Sequence, residues 1–447
     1  MNQPALRLCI AIGTAMLCGL LWAANAVAPA ATPATVAKPG VQARAKPDFA
    51  APTVAALAQN SSVSVTGQQG LWFKLALAGG KAGFVRVNDI RVTYGSKETG
   101  GLASALFSGK AGKGRVTETA SVRGLDESKL QTARFDAEQL QLLESYRATP
   151  EQADAAAAKR GWTTTEVPFA EEFKPKQDGK PQPSQAQKRA RLGMASGVLS
   201  MFNPMLGRTA GSGDKLMGKS EAEISEEEQT LGPLIAGRVL GAVPLLKDPA
   251  AQKRVNLIGR WLASRTSRPE LPWTFGVIDD GELNAFAAPG GYVLITRGLY
   301  QLLASDAEVA AVLGHELSHV VQRDHYEVVR KQELQAAGRD AALSHVQTGG
   351  GVAGGMVRDY LEKNGAAILL TQLDRNAEYR ADHAAGIYLA RAGCNPLELY
   401  AVLQKMAALG SASPRLASLY KTHPPLDKRL DALDKRGYDD LSAWLSR

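Results

Sequence analysis

The chain has 447 residues, 45% of them hydrophobic, and a formal net charge of +8. That length exceeds what one core supports, so two to three domains are expected. The basic balance is modest and no dense Lys/Arg stripe with interleaved aromatics is present, which argues against a nucleic-acid partner.

Residues 1–28 read as a signal peptide. Arg7 gives a short positive region, Leu8 to Trp22 an apolar run too short for a membrane span, and Ala24-Asn25-Ala26 a small-residue cleavage site, with Ala26-Val27-Ala28 as an alternative. Leu17 rather than a small residue precedes Cys18, which makes a lipoprotein reading weak. The expected location is exported and periplasmic. Cys9 and Cys18 would leave with the signal, and Cys394 would remain alone. An exported chain with one cysteine has no internal disulfide, so its folding rests on core packing and metal.

After an Ala/Pro-rich spacer, residues 41–95 change texture. Short alternating runs at 63–65, 71–77 and 82–87, with Gly79-Gly80 as a turn between the last two, read as strands. The stretch resembles a bacterial SH3-like barrel, with Trp72 and Gly83-Phe84-Val85 at its usual core and turn positions. One reading is a targeting or peptide-binding module with a cell-wall or other envelope partner. The other is a structural appendage in which Trp72 is simply core.

Residues 120–170 read as a helical unit. Leu130, Ala133, Leu140, Leu143 and Tyr146 form an apolar stripe, and Thr149-Pro150-Glu151-Gln152 is a capping box with Pro in its first turn. Residues 171–220 read as a polar, proline-bearing linker that includes an apolar segment at 192–206. That segment is too short to span a bilayer and reads as a flap, a membrane-surface contact or buried core.

A catalytic unit is expected over 221–447. Ser225-Glu226-Glu227-Glu228 begins a helix with Leu231, Ile235, Val239 and Leu240 on its apolar face, and a second helix follows Pro249. Trp273 to Ile278 alternates like a strand, and Pro289-Gly290-Gly291 is a turn that feeds a strand from Tyr292 to Thr296. Asn284 reads as turn stabilisation. Ser305 and Glu308 have the form of a capping box for the helix that carries His315-Glu316-Leu317-Ser318-His319. Histidines four apart on a helix aim two imidazoles at one point, with Glu316 beside them. Burying these groups on an apolar helix is costly without a partner, and zinc fits the spacing better than a chance pair does.

A catalytic zinc takes three protein ligands and keeps one position open. His325 stands at the metzincin spacing, but residue 322 is Gln where that motif has Gly. The stronger candidate is Glu378, on an alanine-rich helix that stops at Gly393. Asp382, four residues on, would accept the free N–H of a ligand imidazole. The glycine run 349–355 lacks the Lys and Ser/Thr of a phosphate loop. His345 carries no spacing signal, and His383 faces away from Glu378.

The segments HELSH, NAFAAPGGYVLITRGL at 284–299, AEYRADHAAG at 377–386 and Thr422-His423-Pro424 together resemble the zinc metallopeptidase family that includes the HtpX heat-shock protease, the periplasmic chaperone-protease BepA and the CAAX prenyl protease. The resemblance covers about 222–436. It implies a gluzincin fold with one Zn2+, His315, His319 and Glu378 as ligands, Glu316 as general base and Asp382 behind a ligand. His423 falls at the family's His-Pro position, where it would donate to the transition state, cap the resting site, or merely set the start of the last helix. Asn376 and Arg380 stand where acidic residues are frequent in the family. In related gluzincins an edge strand pairs with the substrate backbone, and the segment from Asn284 to Thr296 is the candidate here.

The expected class is therefore α+β: a mainly helical metallopeptidase domain with a small sheet, preceded by a small all-β barrel. The expected activity is zinc-dependent hydrolysis of protein or peptide substrates, misfolded envelope proteins among them. The alternative is a chaperone-like or scaffold protein with a structural zinc. The presence of Glu316 favours the enzyme, since a structural site needs ligands but no base.

Overall fold

The alternating runs near the N-terminus form a seven-stranded sheet in this computed structural model, which describes residues 31–69, 71–92, 127–174, 221–331, 369, 373–409, 413–436 and 441. Its strands are β1 (Thr32–Val36), β2 (Val41–Arg44), β3 (Thr53–Leu57), β4 (Ser62–Gln69), β5 (Trp72–Ala76), β6 (Ala82–Arg86) and β7 (Ile90–Val92). They lie in the order β3-β2-β6-β5-β4-β1-β7 with every neighbour antiparallel. The sheet therefore begins before residue 41: β1, from the stretch read as spacer, pairs with both β4 and β7.

Period-two alternation sends Phe73 and Leu75 inward with Val85, Val87 and Ile90, all at most 1% exposed. Trp72 is on the opposite face. It is only half-buried and meets the exposed ring of Phe49 edge-on at 5.1 Å, so it is not a core residue. Gly79 and Gly80 turn the chain between β5 and β6 at φ 72 and 73, a region that suits glycine.

The helices α1 (Glu127–Thr132), α2 (Ala137–Ser145) and α3 (Pro150–Lys159) do not make a core of their own. Leu130, Leu140 and Leu143 join one apolar cluster with Leu231, Ile235 and Val239 of α4 (Glu221–Ala242). Ala153 and Ala157 of α3 enter the main core with Val255 and Ile258 of α5 (Pro249–Ala263). The capping box at Thr149 forms with both of its hydrogen bonds. Helix α4 begins four residues before Ser225, with Glu221 and Glu223 in its first turn.

A three-stranded sheet follows, with β8 (Thr274–Ile278), β9 (Ala285–Ala288) and β10 (Tyr292–Thr296) in the order β8-β10-β9. All five residues of β10 are buried, because Val293 and Ile295 enter the main core while Tyr292 and Leu294 join the cluster formed with α2 and α4. Strand β10 is central, parallel to β8 and antiparallel to β9. Within the segment proposed to pair with substrate, only β9 is thus an edge strand. Helix α6 (Arg297–Leu302) leads into α7 (Asp306–Val321), of whose 16 residues 14 are buried. After a turn at 322–323 residues 324–331 are again helical, and the described chain further on forms α8 (Arg375–Arg391), α9 (Glu398–Ala407), α10 (Leu419–Thr422) and α11 (Leu426–Arg436). No described helix is long and apolar enough to cross a membrane.

The N-terminal sheet docks on α9 and α11. Gln404 accepts from the Val92 N–H and donates to the Val87 carbonyl, while Arg91 pairs with Asp431 at 3.3 Å and with Asp434. The signal-like stretch 1–28, the segment 192–206, the glycine run 349–355 and His345 lie outside the described residues.

Candidate metal centre

Helix α7 starts where the capping pattern places it. Ser305 accepts from the Glu308 N–H at 3.0 Å. The Glu308 carboxylate reaches back one residue further than in the standard box, accepting from the Ala304 N–H at 2.7 Å, and it also pairs with buried Lys405 at 2.7 Å. Small residues bring α8 against α7: a Cβ on Gly314 would sit 3.5 Å from the Ala385 Cα. Two helices this close can share a ligand between them.

His315 and His319, one turn apart, meet edge to face with ring centroids 4.8 Å apart and their Nε2 atoms 3.3 Å apart. Glu378, in the first turn of α8 and 0% exposed, places Oε2 at 3.7 Å from His315 Nε2 and Oε1 at 3.6 Å from His319 Nε2. Neither carboxylate oxygen has a hydrogen-bond partner among the described residues. Each imidazole is tied from behind, His315 Nδ1 to Asp382 at 2.9 Å and His319 Nδ1 to Asp324 at 2.8 Å. With each Nδ1–H donating to a carboxylate, both Nε2 lone pairs face the centre alongside the bare Glu378 oxygens. Four acceptors aimed at one another in a buried space demand a cation. Their ligand atoms all lie within 4.8 Å of one another, so the residues present fit a metal ion.

The electrostatics carry the same demand. Burial by itself disfavours a charged carboxylate, yet His423, His319 and His315 hold Glu378 well below the usual carboxylate range. Burial also disfavours a charged His319, but its hydrogen bond to Asp324 and the carboxylates of Glu378 and Glu316 push it up to about 9. His315 moves the other way, lowered by burial and by the Arg429 guanidinium.

Glu316 is 2% exposed, and its carboxylate falls within 4.8 Å of ligand atoms on His315 and His423. His423, which follows α10, sets Nδ1 3.0 Å from Glu378 Oε2, off the line of a hydrogen bond. Its ring centroid is 5.4 Å from that of His315. Asn284 braces this loop: its side-chain N–H donates to Ser418, the residue before α10, at 2.6 Å. The same side chain's carbonyl accepts from the Ala285 N–H at 3.0 Å, at the start of β9.

His325 does not join the converging atoms. Its ring lies 6.0 Å from that of His319, and burial holds its pKa down to about 4. Helix α7 ends at Val321 and Arg323 adopts φ 62, so the chain leaves the helical spiral before reaching residue 325. His383 is buried against Phe169 with rings 5.8 Å apart. Two residues that carry no spacing signal also reach the centre. Asp324 stands off the helical register of His319, and Arg429, 47 residues beyond Asp382, donates to both oxygens of that carboxylate.

Residues 249–437 match the profile of peptidase family M48. The chain carries a peptidase family M48 domain. Its relatives include the beta-barrel assembly-enhancing protease of Escherichia coli strain K12, 28% identical over 214 residues that make up 46% of this chain and 42% of the relative. The mitochondrial metalloendopeptidase OMA1 of Arabidopsis thaliana is 29% identical over 185 residues, 41% of this chain and 36% of that protein. Metalloprotease LoiP of E. coli K12 is 28% identical over 165 residues, 37% of this chain and 63% of LoiP. The match thus spans less than half the length of the first two. The M48 domain contains the whole converging set, and the N-terminal sheet lies outside it.

Proposed function

We propose that the chain is a zinc-dependent endopeptidase that cleaves protein substrates in the cell envelope after export. The observation that carries the reading is the buried Glu378 carboxylate, unpartnered and facing two Nε2 lone pairs. Zinc takes this donor set of two imidazoles and one carboxylate, and when bound it polarises a carbonyl and acidifies water. His315, His319 and Glu378 would hold it. Asp382 keeps the His315 imidazole in the Nδ1–H tautomer and stops it rotating.

Glu316 acts as general base, taking a proton from the attacking water and returning it to the leaving amine. Its carboxylate beside His315 and His423 supports that role. The edge strand β9 lies against α7 and would accept an extended substrate as an added strand, which gives main-chain affinity with little sequence demand. His423, beside Glu378, is within reach of a developing oxyanion. Its contact with the ligand carboxylate supports a capping role when no substrate is present.

Envelope proteins as substrates rest on the signal-like first 28 residues and on the beta-barrel assembly-enhancing relatives. The N-terminal sheet, which resembles an SH3-like barrel, would supply contact with an envelope partner. The test is cleavage of an unfolded protein such as casein, with and without chelator, by the wild type and Glu316→Gln. Cleavage that needs zinc and Glu316 is expected. Zinc-loaded Glu316→Gln at wild-type rate would overturn the mechanism.

A further inference from the structure

We infer that Asp324 is a positioning residue for His319, presented by a left-handed turn that a buried ion cluster holds in place. The inference rests on the zinc reading of the site above. On an uninterrupted helix, residue 324 would lie about 140° around the axis from His319 and could not reach it. The chain instead leaves the helix after Val321, and Arg323 takes φ 62, a conformation that disfavours any residue with a Cβ.

The Arg323 side chain explains how that conformation persists. Its Nε donates to Glu228 at 2.7 Å and its Nη1 pairs with Glu221 at 2.5 Å, both on α4. Glu228 is 0% exposed and is gripped a second time by Arg268, whose two Nη atoms reach it at 3.0 and 2.7 Å. Arg268 also donates to the Val320 carbonyl in the last turn of α7, at 3.2 Å. Phe173 packs its ring 4.6 Å from the Arg323 guanidinium. Three charged side chains thus pin the turn to α4 and to the end of α7.

Beyond the turn, Asp324 sets one oxygen 2.8 Å from His319 Nδ1 and the other 2.5 Å from Arg380 Nη2. Arg380 lies two residues past Glu378 on α8, at a position where this sequence departs from the motif it resembles. The result is two clamps, His315–Asp382–Arg429, in which the arginine donates to both carboxylate oxygens, and His319–Asp324–Arg380, in which it reaches one. In each, an arginine offsets the carboxylate and fixes its plane, so the imidazole is aimed without added net charge.

The experiment uses the full chain stripped of metal and reloaded with zinc. Zinc affinity is measured by competition with a chromogenic chelator, and the visible spectrum is recorded with cobalt in place of zinc. Asp324→Ala is expected to weaken zinc binding about 10–100-fold and to change the cobalt band shape. Asp324→Asn, close in volume, is expected to weaken binding by about 3-fold or more and decides the matter should the alanine variant not fold. Wild-type affinity together with an unchanged cobalt spectrum in either folded variant overturns the inference. Failure of the wild type itself to bind zinc or cobalt would instead overturn the metal reading of the site.

Discussion

Glu378 is the one ligand of the converging set that α8 supplies, so a bound zinc can tie α7 to α8 only through it. Glu378→Gln keeps the shape of the side chain and removes the charge. At a zinc concentration of about 100 times the wild-type Kd, binding stabilises the fold by ~2.7 kcal/mol. Loss of an outer partner of a ligand lowers metal affinity about 10–100-fold, and loss of a ligand costs at least the upper end of that range. The same zinc concentration would then be near the variant's Kd and contribute only ~0.4 kcal/mol. For a domain of this size, the zinc-induced rise in Tm would fall from about 5–10 °C to about 1 °C. The assay is thermal unfolding by circular dichroism, with and without zinc, on both proteins. The quantity compared is the zinc-dependent rise within each protein, so a change in the metal-free midpoint, where the substitution removes a carboxylate that His423, His319 and His315 hold ionised, does not enter it. An undiminished zinc-dependent rise in the Glu378→Gln protein would refute the reasoning.

Three other perturbations test separate parts of the account. Glu316→Gln should retain zinc while hydrolysis falls about 10²–10⁴-fold, read by metal analysis and casein cleavage on one preparation. Gly290→Ala should destabilise by ~2–4 kcal/mol in urea unfolding, because φ is 74 and the new Cβ would lie 2.6 Å from the Glu228 carbonyl oxygen; a neutral result would contradict the packing of α4 on that turn. Glu398, partly buried in the first turn of α9, is raised from 4.5 to about 7, by burial first and then by the Glu308 carboxylate. Between those values the folded state keeps a proton that the unfolded chain has released, so this group's contribution to stability falls as pH rises from 4.5 to 7. Glu398→Gln should therefore stabilise by ~2–3 kcal/mol at pH 8 and by nothing near pH 4, with denaturation midpoints that converge as the pH is lowered.

The parts of this protein legible in its sequence are those decided by near neighbours along the chain. Histidines four apart on a capped apolar helix must share a face, so the pairing of His315 and His319 is a local property. The same holds for the capping box at Thr149, the glycine turn between β5 and β6 and the bounds of strand β10. The α+β class follows from such segments, as does the weight given to Glu378 and Asp382, which share one helix face and do reach the centre. Tertiary contacts decided the rest. The departure of His325 from the site and the arrival of Asp324 both turn on Arg323, whose side chain is held by Glu228, 95 residues earlier. Arg429 finds Asp382 only because α11 packs across α8, and Trp72 faces outward because the order of the strands gives Phe73 and Leu75 the inner side. A local pattern can aim a side chain along its own helix or strand, but which charges meet in a buried space depends on how distant elements close against one another.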